Sequence, residues 1–168
     1  EKDVTDVSAL NMLKVDWVAL SFVEEREDIE RLRIMVRDDL KIMAKIERPN
    51  AVSTVKDIIQ VSDGILVARG DLGVEIGLEK VPMIQKRIVK MCNDYERDVV
   101  VATQMMESMI TNNMPTRAEV SDVANAVLDG ATGVMLSAET SIGAHPIECV
   151  SMQRKIILEA ENSLAYNI

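Results

Sequence analysis

Short aliphatic runs alternate with longer stretches in which apolar residues recur at helical spacing. The clearest run is Ile65-Leu66-Val67-Ala68, bounded by Asp63-Gly64 and Gly70. Four to five aliphatic residues between turn signals predict a strand buried on both faces, over residues 64–68. Comparable runs predict strands over residues 16–22, 41–46, 99–103 and 133–137. Pro49 closes the second of these, because proline cannot continue a central ladder. Residues 1–15 read as a helix leading into the first strand. Ile29, Leu32, Ile34, Met35 and Val36, set among charges, predict a helix over 24–39. Asn50 is placed to cap a helix carrying Val52, Val55, Ile58, Ile59 and Val61. A helix over 78–95 tolerates Pro82 in its first turn. A short helix over 104–111 is broken by Asn112-Asn113-Met114-Pro115. Thr116-Arg117-Ala118-Glu119 then fits a capping box, in which hydroxyl and carboxylate each satisfy a free N–H. That helix runs to about Leu128, and Gly130 is placed to end it. A final helix over 147–165 follows Ala144-His145-Pro146.

The order is five repeats of strand and helix, with strand starts about 23–35 residues apart. Regular repetition of this kind means a parallel sheet with right-handed crossovers. An open doubly wound sheet and an arc of a (β/α)₈ barrel both satisfy it. No Gly-x-Gly-x-x-Gly follows the first strand, so a dinucleotide-binding sheet loses its main support. The expectation is an α/β fold, a partial TIM (β/α)₈ barrel of five parallel strands.

Composition narrows the functional classes. The chain has 168 residues, enough for one domain with a sizeable core. Hydrophobic content is 48% but aromatic content only 2%, so the core is aliphatic and methionine-filled, which favours helices on a parallel sheet over a β-sandwich. The net charge is −9 and no basic cluster stands out, which argues against nucleic acid and anionic membrane surfaces as partners. No apolar run approaches the ~18 residues of a membrane span, and no signal-peptide pattern opens the sequence. Cys92 and Cys149 lack metal-ligand spacing and read as two reduced thiols of a cytoplasmic protein.

Candidate chemistry gathers where the predicted strands stop. Each ends in polar or charged groups: Ser21; Lys45 and Glu47; Arg69 and Asp71; Thr103 and Gln104; Ser137 and Glu139. In parallel α/β folds that end is where chemistry sits. Residues two apart on a strand face the same side, so Lys45 with Glu47, Arg69 with Asp71, and Ser137 with Glu139 would each point into one mouth. Neighbouring strands lie about 4.8 Å apart, which places Glu47 and Asp71 within reach of one ion if their strands are adjacent. Two carboxylates without His or Cys make a hard oxygen site, suited to Mg²⁺ or Mn²⁺ completed by substrate and water. Lys45 beside it would be a point charge for a phosphate or a developing enolate. Gly70 would let backbone or ligand approach closely.

Plainer explanations compete at each position. A lone strand-end carboxylate is more often solvated or a helix cap, though five consecutive polar strand ends weaken that account. The Arg69-Gly70-Asp71 triplet also occurs in adhesion ligands, a role that does not suit a segment leaving a buried strand. Met105, Met106 and Met109 fit helix packing, His145 fits a loop, and Glu119 fits capping. Arg117 is either a surface charge or a mouth-facing cation. Residue spacing alone leads to a metal-assisted site for an anionic substrate, with the reaction unnamed.

At these same residues the chain resembles the pyruvate kinase family. Lys45-Ile46-Glu47 and Ser62-Asp63-Gly64-Ile65-Leu66-Val67-Ala68-Arg69-Gly70-Asp71-Leu72-Gly73 resemble its signature segments in order. So do Ala102-Thr103-Gln104-Met105-Met106-Glu107-Ser108-Met109 and Pro115-Thr116-Arg117-Ala118-Glu119. Ser121-Asp122-Val123-Ala124-Asn125-Ala126-Val127-Leu128-Asp129-Gly130 and Met135-Leu136-Ser137-Ala138-Glu139-Thr140 complete the series. The resemblance implies strands four to eight of that family's catalytic barrel, with residues 1–168 forming one partial barrel domain. Nothing here corresponds to the first three strands, the inserted lid or the C-terminal effector domain.

By the same resemblance, Glu47 and Asp71 would hold the divalent cation and Lys45 would neutralise the transferring phosphoryl group. The backbone of Ala68, Arg69, Gly70 and Asp71 would seat the carboxylate of phosphoenolpyruvate or pyruvate, with Thr103 beside the three-carbon unit. Ser137 and Glu139 would belong to a polar water network relaying a proton to the enolate carbon. The implied reaction is phosphoryl transfer from phosphoenolpyruvate to ADP, giving ATP and pyruvate through protonation of enolpyruvate. Catalysis of this kind rests on positioning and charge neutralisation. Ala138 stands where most members carry glycine, a form similar to one bacterial subgroup. The K⁺ site of the family lies mostly outside these residues, and its full-length members are tetramers. The chain is expected to be a fragment without turnover of its own. Two other accounts are a magnesium-dependent barrel lyase or aldolase acting on pyruvate, marked by pyruvate release without ADP, and a non-catalytic half-barrel that self-associates through two unpaired edges.

Overall fold

Five parallel strands stand side by side in chain order, β1-β2-β3-β4-β5. The structure is a computed structural model in which residues 2–165 are described. The elements run α1 (Lys2–Met12), β1 (Trp17–Leu20), α2 (Arg26–Met35), β2 (Lys41–Ile46), α3 (Pro49–Ser53), α4 (Val55–Val61), β3 (Gly64–Ala68) and α5 (Arg69–Ile76). A 3₁₀ turn at Leu78–Lys80 leads into α6 (Val81–Asp94) and β4 (Asp98–Ala102). Another at Glu107–Ile110 precedes α7 (Arg117–Leu128), β5 (Gly133–Met135), α8 (Ala138–Ser141) and α9 (Pro146–Ala165). This is the expected α/β architecture, a barrel arc of five parallel strands with alternating helices.

Alternate residues on each strand serve two cores. Ile42, Ala44, Ile46, Ile65, Val67, Val99 and Val101 face the helices and are all essentially inaccessible. Each isoleucine so buried contributes about 1.5–3 kcal/mol. On the opposite face Leu66, Ala68 and Ala102 pack with Met43, Val100 and Met135 in a smaller cluster. The register Lys45↔Leu66 and Ile46↔Val67 carries Lys45 on this second face, toward what would be the barrel interior. β3 is buried at every residue, whereas β1 and β5 at the two edges are only partly covered.

Four local expectations change. The helix expected from Asn50 is two short helices joined at Thr54, and it starts from Arg48 with Pro49 in its first turn. Asn50 therefore lies inside the first turn and does not cap it. The helix over 104–111 shrinks to the 3₁₀ turn, because Thr103 and Gln104 both take left-handed backbone, φ +70° and +53°. Neither α5 nor α8 was expected. The remaining boundaries differ by a few residues, and Gly130 does end α7, at φ +99°. Met105, Met106 and Met109 are fully buried and form core as expected, although the segment is not an α-helix.

Candidate active site at the C-terminal ends of the strands

Glu47 lies one residue beyond β2 and is 1% exposed. An ionised carboxylate so deep needs compensating partners. The Lys45 ammonium stands 2.7 Å from its Oε1, and the Phe22 amide donates to its Oε2 at 2.7 Å. Lys45 Nζ also donates to Ser21 Oγ at 3.0 Å, so the ends of β1 and β2 are tied together through one ammonium. Phe22 adopts φ +55°, a left-handed conformation that a bulky residue seldom takes. Arg48 packs over its ring at 5.1 Å from the centroid. The same-face geometry expected for Lys45 and Glu47 holds.

It does not hold for Arg69 and Asp71. The chain turns helical immediately after Ala68, so these residues sit in the first turn of α5 and diverge. Asp71 is exposed and has no side-chain partner among the described residues. Arg69 turns away into the interior. Its Nη1 reaches both Asp122 oxygens at 2.8 and 2.6 Å. Its Nη2 donates to the Thr103 carbonyl at 2.6 Å. The Gly70 amide donates to Thr103 Oγ1 at 2.8 Å, and that hydroxyl donates to the Ala102 carbonyl at 2.6 Å. A Cβ on Gly70 would meet Thr103 Oγ1 at 3.5 Å, an ordinary contact, so packing within the chain does not require glycine there.

Ser137 and Glu139 also leave the strand geometry. Glu139 falls in α8, is fully buried, and accepts the amides of Ser137 at 2.8 Å and Met106 at 3.1 Å. The Ser137 hydroxyl has no protein partner among the described residues. Glu119 does more than cap α7. Besides Thr116 it accepts the amide and hydroxyl of Ser108, each at 2.6 Å. Partial burial pushes its carboxyl upward, but the bonds from Ser108 and Thr116 outweigh this and hold it below the usual range. Arg117 is exposed and unpaired among the described residues. Cys92 and Cys149 are free and buried, with the Cys92 thiol pushed up to about 12 by burial.

Among the described residues no group of three or more His, Cys, Asp or Glu is placed to hold a metal alone. The pair expected from the sequence is a smaller set, and its chemistry fits a hard divalent cation. Each Glu47 oxygen accepts a single protein hydrogen and retains acceptor capacity, while Asp71 opens the helix after the neighbouring strand. Two residues escaped the sequence reading, Asp122 as the partner of Arg69 and the Phe22 amide as the partner of Glu47. No local pattern marks Asp122, which is one acidic residue on an amphipathic helix with its partner 53 positions away.

A parallel barrel arc with a lysine–glutamate pair and an exposed aspartate at the C-terminal strand ends defines an α/β-barrel domain with its candidate site at that end. The profile of the pyruvate kinase barrel domain matches residues 1–150. The chain is 49% identical over 166 residues to a pyruvate kinase of Methylorubrum extorquens, covering 99% of this chain and 35% of that protein. It is 48% identical over 155 residues to one of Thermotoga maritima, covering 90% and 33%. One of Clostridium perfringens is 47% identical over 171 residues, covering 99% and 36%. The chain belongs to the pyruvate kinase family, a family of phosphotransferases, and spans about a third of the length of these relatives.

Proposed function

We propose that these residues form the divalent-cation and enolate side of a pyruvate kinase centre, which transfers a phosphoryl group from phosphoenolpyruvate to ADP and protonates the enolpyruvate released. The observation that carries this is the buried Glu47 carboxylate held by Lys45 at 2.7 Å on the strand beside the one that leads into Asp71.

Glu47 and Asp71 are the residues that would hold Mg²⁺ or Mn²⁺. When bound, the cation would supply positive charge that stabilises the anionic substrate. Lys45 neutralises the transferring phosphoryl group. Its ammonium is anchored on Ser21 and Glu47 before substrate arrives, so little reorganisation is needed. The first-turn backbone of α5 seats the substrate carboxylate, with the Asp71 amide as the donor and the Gly70 amide held beside it by Thr103 Oγ1, since the first amides of a helix lack intrahelical partners. A glycine that packing does not demand supports that role. Thr103 borders the three-carbon unit. The free Ser137 hydroxyl passes a proton through water, and Glu139 fixes the Ser137 backbone from beneath.

ADP and K⁺ contacts fall mainly to parts of the relatives that this chain does not span. Its open edges β1 and β5 support self-association, and it works in the cytoplasm. No described helix is long and apolar enough to cross a membrane. Titration with Mn²⁺, read by calorimetry, tests the site. Glu47→Gln should weaken binding by more than the roughly 10–100-fold loss typical of an outer-shell partner. Equal affinity in wild type and variant would refute the assignment.

A further inference from the structure

We infer that Asp122 is a positioning residue: through Arg69 it clamps the left-handed Thr103–Gln104 turn, so that the Thr103 hydroxyl fixes the Gly70 amide at the start of α5. This rests on the proposed role of the α5 first turn in seating the substrate carboxylate.

The turn needs a clamp. A β-branched residue at φ +70° is an outlier, and Gln104 follows it at +53°. Such strain persists only where surrounding structure over-determines it. Here the strained Thr103 carbonyl accepts two Arg69 hydrogens, from Nε at 3.2 Å and Nη2 at 2.6 Å. The Nε hydrogen is shared with the Ala102 carbonyl at 3.3 Å. The guanidinium fork is planar and cannot pivot about one bond, so its orientation fixes the turn. What orients the fork is Asp122 from α7, with Gln85 of α6 beside it at 3.4 Å. The Arg69 side chain is 12% exposed and that of Asp122 36%, so the guanidinium is withdrawn from solvent while its carboxylate partner stays partly screened. α7 is itself fixed by Glu119 on Ser108. A chain of contacts therefore runs from α7 through Arg69 and Thr103 to the Gly70 amide of α5.

The clamp is read without ligand, by amide-resolved hydrogen exchange on the chain. In wild type the Gly70 amide should be protected. Asp122→Asn should speed its exchange about tenfold while Ile65 and Val67 in β3 keep their protection. Asp122→Glu should restore much of it, and Lys90→Ala, which breaks a solvated pair with Asp94, should change nothing at Gly70. Unchanged Gly70 exchange in Asp122→Asn overturns the inference. If Asp122→Asn loosens the whole chain, Arg69→Lys decides: it keeps the cation and loses the fork, so selective acceleration at Gly70 supports the clamp and uniform acceleration overturns it. A second arm adds phosphoenolpyruvate with Mg²⁺ and follows the Gly70 and Asp71 amide resonances. Wild-type shifts that weaken about tenfold in Asp122→Asn are expected. Their absence in wild type refutes the functional reading, and the ligand-free exchange data keep that failure distinct from failure of the clamp.

Discussion

The end of β2 and the loop after β4 both place carboxylates under backbone amides at the same end of the sheet. At the end of β2, Glu47 accepts one amide and carries an ammonium that is still 25% exposed. Beyond β4, three acidic side chains are tied to loop and helix groups of the protein: Asp122 to Arg69, Glu139 to the Ser137 and Met106 amides, and Glu119 to Ser108 and Thr116. One region keeps charge facing the mouth, and the other uses its charge to hold a strained, methionine-rich loop in place. Polar residues at strand ends are therefore of two kinds, and chain position does not distinguish them.

Removing charge from each region separates the two roles. Lys45→Met should destabilise the chain by about 3 kcal/mol, near the lower end expected for breaking a buried ion pair, because the ammonium is partly exposed. Urea denaturation checks this, and a neutral result would mean that Glu47 is not desolvated as the geometry indicates. Glu139→Ala strands one buried and one part-buried amide and should cost about 2–3 kcal/mol. Its Mn²⁺ affinity should stay at the wild-type level, since the loss falls on the β4 side. A large drop in affinity would join the two regions and defeat the comparison.

Smaller effects sharpen it further. Thr116→Ala removes the side-chain cap of α7 and should cost about 1 kcal/mol. Glu119 gives the loop an acid limb. Its folded pKa lies below the unfolded value, so its stabilisation is complete above the unfolded carboxyl pKa and is lost as pH falls through the folded one. Unfolding midpoints measured downward from pH 5 should fall less steeply in Glu119→Gln than in wild type. Identical slopes would remove Glu119 from the account.

Much of the fold was legible because buried parallel strands announce themselves as aliphatic runs. Lys41–Ile46 and Gly64–Ala68 match their expected spans residue for residue. Strand order followed from regular βα repetition, and the capping box at Thr116 followed from local hydrogen-bond chemistry. Lys45 and Glu47 were legible as a pair because period two survives one residue past a strand. The same rule failed at Arg69 with Asp71 and at Ser137 with Glu139, where helices α5 and α8 begin. Gly70 and Gly73 weaken any local helix signal in α5, and α8 has only four residues.

The order of residues was enough for the repeating βα frame, the two-sided burial of the central strand β3 and the polar character of every strand end. Those properties depend on periodicity and composition, which are local. The tertiary structure alone decided which charges remain at the mouth and which are consumed beneath it. Arg69 meets Asp122 across 53 residues, and Glu139 meets Met106 across 33. Such pairs exist only once the strands have set the distance between their loops, and burial then makes each pairing too costly to leave unmade.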